Sequence, residues 1–172
     1  MDILQGILTR RSIRKYTDEV ITREQAEELV RYGMYAPSAH NKQPWHFVLL
    51  NDADIFNKIV EVHPHAKMLL QAQWGIVVCG DEQMAYTPDY WPVDCSAASQ
   101  NILLAAHEMG YGAVWVGIYP RTERMTALKE ALLLPPHIHV LSIISVGHPN
   151  QQVSQADRFH PERIYLNKFG SY

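Results

Sequence analysis

The sequence predicts one α+β domain in which helices surround a mixed central sheet. Four short apolar runs have the length of buried strands, and segments with helical spacing of apolar residues lie between them. Both kinds of signal run through the whole chain without an internal repeat, a low-complexity stretch or a linker. With 172 residues, 47% of them hydrophobic, the chain is long enough for one core of its own.

The first half of the chain opens with a well-marked helix. Thr22-Arg-Glu-Gln25 is a capping-box pattern, in which the threonine and glutamine side chains bond to backbone N–H groups at the helix start. The helix cannot continue beyond Ala36, because Pro37 follows. The other elements predicted in this half are a strand at 45–50, a helix through Ile55 to Val60, a helix at 66–73 and a strand at 74–79.

The second half begins with residues 81–92, which contain two prolines and no periodicity and are predicted to form a loop. Asp94 is predicted to cap a long helix that ends at Met109, with Gly110 as its stop. Thr122 is predicted to cap a further helix. Strands are predicted at 113–118 and 139–146, and the polar tail after Pro149 carries the aromatic residues Phe159, Tyr165, Phe169 and Tyr172.

Charge and cysteine usage exclude several classes of protein. A net charge of −3 without a basic excess argues against a nucleic-acid partner. No apolar stretch approaches the ~18 residues of a membrane span, and the order of charges in residues 1–11 is the reverse of a secretory signal. Cys79 and Cys95 lie in apolar surroundings and form no CxxC pair, which predicts reduced thiols in a cytoplasmic protein.

The densest charge in the chain is Arg10-Arg-Ser-Ile-Arg14, followed by Lys15. Three guanidiniums and a hydroxyl within five residues suit a phosphate, since arginine donates forked, charge-assisted hydrogen bonds. The alternative is a solvated basic segment at the C-terminal end of a helix, where the helix dipole favours positive charge.

A second polar constellation is the segment 36–45, Ala-Pro-Ser-Ala-His-Asn-Lys-Gln-Pro-Trp, between a helix and a strand. Asn41 and Gln43 offer both donors and acceptors, which could read a heterocycle with alternating polar edges. The alternative is an ordinary loop whose amides cap nearby backbone. Further along, Gly117 within a strand pattern indicates a bulge or the close approach of a ligand.

Other site classes find little support in the sequence. The pairs His63-Pro-His65 and His137-Ile-His139 lack a further ligand at a recognisable spacing, so no metal site is predicted. No G-x-G-x-x-G follows a strand, which leaves a Rossmann dinucleotide site unsupported. A nucleophile elbow of the hydrolase type is also absent.

Taken together, four segments resemble the nitroreductase family of flavin enzymes, in order and over about residues 3–169. Residues 10–16, Arg-Arg-Ser-Ile-Arg-Lys-Tyr, resemble the family's phosphate motif, and the segment 36–45 resembles its flavin loop. The run Gly-Tyr-Gly-Ala-Val-Trp-Val-Gly at 110–117 resembles the segment that faces the flavin edge. Gly147-His-Pro149 followed by Asp157-Arg-Phe159 resembles the C-terminal signature.

The resemblance implies an intertwined homodimer with two non-covalent FMN sites, and a single domain over 1–172 whose tail, about 150–172, wraps the partner subunit. Its electron donor would be NAD(P)H, its other partner a small-molecule electron acceptor, and its chemistry would occur at the flavin N5 without an obligatory catalytic side chain. The cofactor-binding residues implied are Arg10, Arg11, Ser12, Arg14 and Arg158 at the phosphate and ribityl end; Pro37, Ser38, Ala39 and Asn41 in a loop from the other subunit, with Gln43 supporting that loop or the ribityl chain; and Val116, Gly117 and His65 near the ring.

The family's reactions leave several functions open. The leading expectation is a ping-pong reduction of nitroaromatics, quinones or flavins. One alternative is an FMN enzyme of a different reaction, which is oxidation, dehalogenation or cleavage of the flavin itself. The other is a flavin-binding or storage protein without catalysis. The segment 81–92 is short for the family, which leaves the acceptor undecided. Four aromatic residues are candidates either for channel walls or for packing: Tyr86, Tyr90, Trp91 and Trp115.

Overall fold

Four antiparallel strands form the central sheet in the computed structural model, which describes residues 2–171. Their order across the sheet is β1-β2-β4-β3. Every strand pair is antiparallel, and an isolated single-residue parallel bridge joins Ser12 to Ala113 of the last of these strands in the order. The predicted α+β fold is confirmed. The strands are β1 Trp45–Leu50, β2 Trp74–Asp81, β3 Gly112–Gly117 and β4 Ile138–Gly147.

Helices cover both faces of the sheet. They are α1 Ile3–Thr9, α2 Arg23–Met34, α3 Ala53–Val62, α4 Trp91–Glu108 and α5 Thr122–Ala131. Because successive side chains of a strand point to opposite faces, Ile76 and Ile144 join the core beneath α2 and α4, whereas Val77 and Ile143 join the core beneath α3 and α5. The central strands β2 and β4 are therefore buried on both faces, as their continuous apolar sequences predict.

The start of α2 confirms the capping-box prediction. The Thr22 hydroxyl accepts a hydrogen bond from the Gln25 N–H at 3.3 Å, and the Gln25 side chain accepts one from the Thr22 N–H at 2.8 Å. Replacing such a cap typically costs about 1 kcal/mol.

Two predicted caps are wrong. Helix α4 begins at Trp91, three residues before Asp94, because Pro92 fits the first turn of a helix, where its missing N–H has no partner to lose. Asp94 therefore lies inside the helix with a different function. Helix α5 includes Thr122 as its first residue, and its N-cap is Arg121, without a side-chain hydrogen bond.

Two further elements differ from the sequence predictions. The segment predicted as a helix at 66–73 is a 3-10 helix, Pro64–Gln71, which follows directly on α3. Helix α1 was not predicted, and its apolar side chains Ile3, Leu4, Ile7 and Leu8 are exposed. Since these side chains contribute little to the core of their own chain, α1 is an unpartnered apolar helix in the monomer.

Helix α4 packs on α2 within one chain. A Cβ atom at Gly33 would lie 2.8 Å from Ile102 Cγ1, so glycine is required for this close approach. Ala98 and Ala106 are fully buried in the same core. The small side chains of α4 thus serve the chain's own packing, and these two alanines give no argument for a partner subunit.

The tail beyond Pro149 has little contact with the core. It is exposed over most of its length, and its regular structure within the described residues is a 3-10 turn at Pro161–Arg163. Tyr165 and Phe169 pack against each other, with ring centroids 4.5 Å apart. Tyr172 lies outside the described residues. Between residues 2 and 171, no helix is long and apolar enough to cross a membrane.

Candidate functional site

The arginine-rich segment lies along the start of β3. Helix α1 ends at Thr9, and the Arg10 N–H donates to the Gly6 carbonyl at 3.0 Å. The chain then runs extended, and the Ile13 N–H donates to the Ala113 carbonyl at 3.0 Å. These bonds fix the backbone of the arginine-rich segment against β3, and with it the positions from which the three arginine side chains extend.

The positive charges of this segment lie close together, and no carboxylate of residues 2–171 is paired with them. Burial, followed by the charges of Arg158 and Arg11, lowers the pKa of Arg10 below its usual range. Arg158 comes from the distant tail, so the fold brings together two motifs that are far apart in sequence. Within the described part of the chain, no carboxylate forms an ion pair with Arg10, Arg11 or Arg158.

Arg11 combines the two interpretations that its sequence left open. Its Nη1 donates to the carbonyls of Leu8 at 3.0 Å and Arg10 at 2.7 Å, and its Nε donates to the Ser154 carbonyl at 3.0 Å. These bonds tie the end of α1 to the tail, as a basic helix end would. Its Nη2, however, is buried and has no hydrogen-bond partner among residues 2–171. An unpaired, buried guanidinium nitrogen fits an anionic ligand such as a phosphate.

Arg14 and Ser12 lie further along the same segment. The Arg14 side chain is exposed, while its backbone N–H donates to Gln151 Oε1 at 3.1 Å. Ser12 is half-buried beside Ala113. The predicted phosphate-end residues are therefore close in the chain trace, and the side chain of Arg14 is free to turn toward a ligand.

His107 is a neighbour of this cluster that the sequence did not reveal. Its Nε2 lies 2.9 Å from the Thr9 hydroxyl, which itself donates to the Gln5 carbonyl. Burial and then the Arg10 charge lower the pKa of His107 below its usual value. The imidazole therefore supports the end of α1 as a neutral group.

The predicted flavin loop is a strained turn between α2 and β1. His40, Asn41 and Gln43 have φ angles of 50°, 54° and 49°, in the left-handed region that residues with a Cβ seldom adopt. Such residues cost on the order of 1 kcal/mol each and cluster at functional sites. The Gln43 N–H donates to Ser38 Oγ at 3.0 Å, and Gln43 Nε2 donates to Asn41 Oδ1 at 2.7 Å.

Asp94 anchors this loop to the core. Its Oδ1 accepts a hydrogen bond of 2.9 Å from the Ala39 N–H, and Asp94 as a whole is only 3% exposed. Its other oxygen, Oδ2, is buried without a hydrogen-bond partner in the described part of the chain. The sequence predicted Asp94 as the cap of a helix. It gave no indication of this long-range contact with Ala39.

One chain holds the loop and the arginine segment far apart. Asp94 anchors the loop near the start of α4, and His107 contacts the end of α1 near the end of α4. At a rise of ~1.5 Å per residue these two anchors are about 20 Å apart. The two contacts therefore place the loop and the arginine segment toward opposite ends of α4.

The third predicted segment ends at Gly117, at the far end of β3 from the arginines. Val116 is buried in the core, whereas Gly117 is exposed and a Cβ added there would meet no atom within 4 Å. The register of β3 against β4 continues through Gly117 without a bulge. The open space beside this residue leaves room for a ligand.

His63 fixes the carbonyl of Gly117. Its Nε2 lies 3.1 Å from that oxygen, and Arg124 Nη1 lies 3.5 Å from the same oxygen. Burial and then the Arg124 charge lower the pKa of His63, which favours a neutral ring. The neighbouring His65, the predicted ring contact, is exposed and meets His63 edge-on at 6.2 Å.

The four candidate wall aromatics divide into two groups. Trp91 is 5% exposed and Trp115 packs on the same core, so both serve packing. Tyr86 is half-exposed and stacks on His40 of the loop, with ring centroids 4.0 Å apart, and Tyr90 meets Tyr86 edge-on. The exposed pair therefore extends the surface of the loop.

The described residues contain no group of three or more His, Cys, Asp or Glu side chains arranged to hold a metal ion. Burial raises the pKa of the Cys79 thiol to about 12 and also raises that of Cys95. Neither thiol is therefore a ready nucleophile.

Comparison with known proteins identifies relatives over nearly the whole chain. The model of the nitroreductase family matches residues 7–75 and 57–148. A protein of Archaeoglobus fulgidus, provisionally named an NADH dehydrogenase/NAD(P)H nitroreductase, is 45% identical over 172 residues, which cover 98% of this chain and 99% of that protein.

Solved structures agree with this assignment. A provisionally named NADH dehydrogenase/NAD(P)H nitroreductase of Parabacteroides distasonis is 40% identical, with a TM-score of 0.94 and coverage of 98% of this chain and 99% of that one. A provisionally named nitroreductase of Desulfovibrio desulfuricans, solved in complex with FMN, is 32% identical, with a TM-score of 0.86 and coverage of 98% of both chains.

Proposed function

Since this chain belongs to the nitroreductase family, we propose that it is an FMN-dependent oxidoreductase that takes electrons from NAD(P)H. The observation that carries the proposal is the cluster of Arg10, Arg11 and Arg158, whose charges no carboxylate of residues 2–171 neutralises. Arg11 Nη2, buried and unpaired, is a donor that the phosphate of FMN would satisfy.

The remaining predicted residues fit the other parts of FMN. Ser12 and Arg14 extend the arginine segment toward the phosphate and ribityl chain. Val116 and Gly117 would meet the ring, since the space beside Gly117 is open and its carbonyl is held by His63. His65 would lie at the margin of the same region. These assignments follow the family resemblance, and the geometry described above supports them.

The ring would also be met by the loop of the other subunit, through Pro37, Ser38, Ala39 and Asn41, with Gln43 supporting the loop. Asp94, which contacts the loop, and His107, which contacts the end of α1, are about 20 Å apart along α4, and this separation supports the division. The two parts of the site belong to different copies in this proposal, and each copy is incomplete alone.

The exposed apolar side chains support a homodimer. Those of α1 and of the tail are unusually exposed for a monomer, with Phe169 at 91% and Ile3 at 71%. The tail would wrap the partner subunit and bury its aromatic residues there. Obligate interfaces commonly bury more than ~2,000 Å² and resemble a divided core.

When bound, FMN would supply the redox chemistry of a ping-pong reaction between NAD(P)H and a second substrate. The chain's own residues bind and orient it: the arginines hold its phosphate, and the loop and Gly117 confine its ring. We propose nitroaromatics, quinones or flavins as acceptors. The half-exposed Tyr86 and Tyr90 offer flat apolar surface to such planar molecules.

The cofactor is expected to be FMN, bound without a covalent bond. Purified protein incubated with excess FMN should retain about one flavin per chain after desalting, because the arginine cluster can donate charge-assisted hydrogen bonds to the phosphate monoester of FMN. Denaturation followed by chromatography of the released chromophore identifies it. Release of FAD, or of no flavin at all, would contradict the proposed cofactor.

A further inference from the structure

We propose that Asp94 is a positioning residue that holds the loop of residues 37–43 in its left-handed conformation through the Ala39 N–H. The proposal rests on the proposed function in one respect, that this loop covers the flavin ring. The hydrogen bond itself, between Asp94 Oδ1 and the Ala39 nitrogen at 2.9 Å, joins the loop to α4 independently of any ligand.

The loop needs such an anchor because its backbone is strained. Three of its residues, His40, Asn41 and Gln43, have positive φ angles although none is glycine. A strained segment persists only when the structure around it fixes it. Within the loop, Ser38 Oγ and Asn41 Oδ1 accept hydrogen bonds from Gln43, but both acceptors belong to the loop and move with it.

Asp94 holds the loop from outside by a hydrogen bond to its backbone, in addition to the stacking of Tyr86 on His40. It lies on the first turn of α4, next to the buried Cys95, and is itself only 3% exposed. A buried carboxylate is stable only with hydrogen-bond donors, and the Ala39 N–H is the donor to Oδ1. Because Oδ2 has no partner among residues 2–171, the stability of the buried charge depends strongly on this single bond. Loop and carboxylate therefore stabilise each other.

The direct test is trypsin cleavage after Lys42, an exposed residue of the loop, in the flavin-free full chain under native conditions. Asp94→Ala should be cleaved there about tenfold faster than wild type, the factor for one lost hydrogen bond to a charged acceptor. Asp94→Asn keeps a carbonyl acceptor for the Ala39 N–H and should stay within about twofold of wild type.

Asp52→Ala is the matched control, because it removes the hydrogen bonds of another aspartate at a helix start without touching the loop. Asp52 Oδ1 accepts from the N–H groups of Asp54 at 2.8 Å and Ile55 at 3.1 Å at the start of α3. This variant should lower the melting temperature and leave cleavage after Lys42 unchanged. Equal cleavage of Asp94→Ala and wild type, or equal acceleration by Asp52→Ala or Asp94→Asn, would overturn the proposal.

A second measurement connects the loop with the cofactor. Asp94→Ala should bind FMN about tenfold more weakly than wild type, Asp94→Asn should restore most of the affinity, and Asp52→Ala should have the wild-type value. Unchanged FMN affinity in Asp94→Ala would refute a positioning function toward the flavin. Wild-type protein that binds no FMN would instead refute the proposed function, and the cleavage result would still decide the anchor.

Ala39→Pro provides the test if Asp94→Ala fails to fold. It removes the same hydrogen bond from the loop side and keeps the Asp94 side chain in place on α4. Ser38 has φ −140° and ψ 154°, the extended conformation that a residue before proline adopts. Cleavage after Lys42 should accelerate as in Asp94→Ala, and cleavage at the wild-type rate would overturn the proposal.

Discussion

Truncation after Asn150 is expected to abolish both self-association and FMN binding. The removed tail contains Arg158, whose charge lies beside Arg10, and Ser154, whose carbonyl accepts from Arg11. It also contains the exposed apolar residues that a partner would bury, such as Phe169. Sedimentation and equilibrium dialysis with FMN measure the two losses separately.

Arg158→Ala in the full chain is the control for this truncation. It removes one phosphate contact and keeps the apolar tail, so it should weaken FMN binding and leave the dimer intact. The rival arrangement folds the tail back on its own subunit. A full-length monomer that holds FMN at micromolar concentration would contradict the dimer. A truncated chain that still sediments as a dimer would contradict the contribution of the tail to the interface.

Arg14→Ala is expected to weaken FMN binding roughly ten- to over a hundredfold. Losing a charge-assisted hydrogen bond to the phosphate costs about 1.5–3 kcal/mol, and 1.4 kcal/mol corresponds to about tenfold in affinity. The Arg14 side chain is exposed, so the fold without FMN should keep its stability. Isothermal titration with FMN and a melting curve of the flavin-free protein give both quantities.

Arg23→Ala is the matched control for the charge. Arg23 is also exposed, and it forms an i,i+4 ion pair with Glu27 on α2, away from the arginine segment. It should leave FMN affinity unchanged. If Arg14→Ala binds FMN as tightly as Arg23→Ala, Arg14 is part of a solvated surface and contributes nothing to phosphate binding.

Local sequence signals predicted the elements that are defined by a few consecutive residues, such as a helix cap or an uninterrupted apolar run. The capping box at Thr22 and Gln25 fixes the start of α2, and the apolar run of β2 has the length of a buried strand. Apart from Asp2 at its N-cap, helix α1 carries no sequence signal for a helix start. Its apolar side chains are exposed and do not join the core. The start of α4 was misassigned because proline and tryptophan precede Asp94.

The part of the site that sequence could not predict consists of long-range contacts. The arginine segment and the loop were recognisable as motifs, because their chemistry is concentrated in a few consecutive residues. Asp94 bonds to Ala39, and His63 to Gly117, across 55 and 54 positions of the chain. No spacing rule relates such pairs, since the path of the sheet and of α4 brings them together.

Anaerobic titration of the FMN-loaded dimer tests most directly whether this protein passes electrons from NAD(P)H through FMN. NADH or NADPH should bleach the flavin absorbance at about one equivalent per flavin, and a nitroaromatic, quinone or free flavin should restore it. Flavin that stays oxidised with both nucleotides would contradict electron transfer from NAD(P)H and indicate a flavin-binding protein or an FMN enzyme of another reaction.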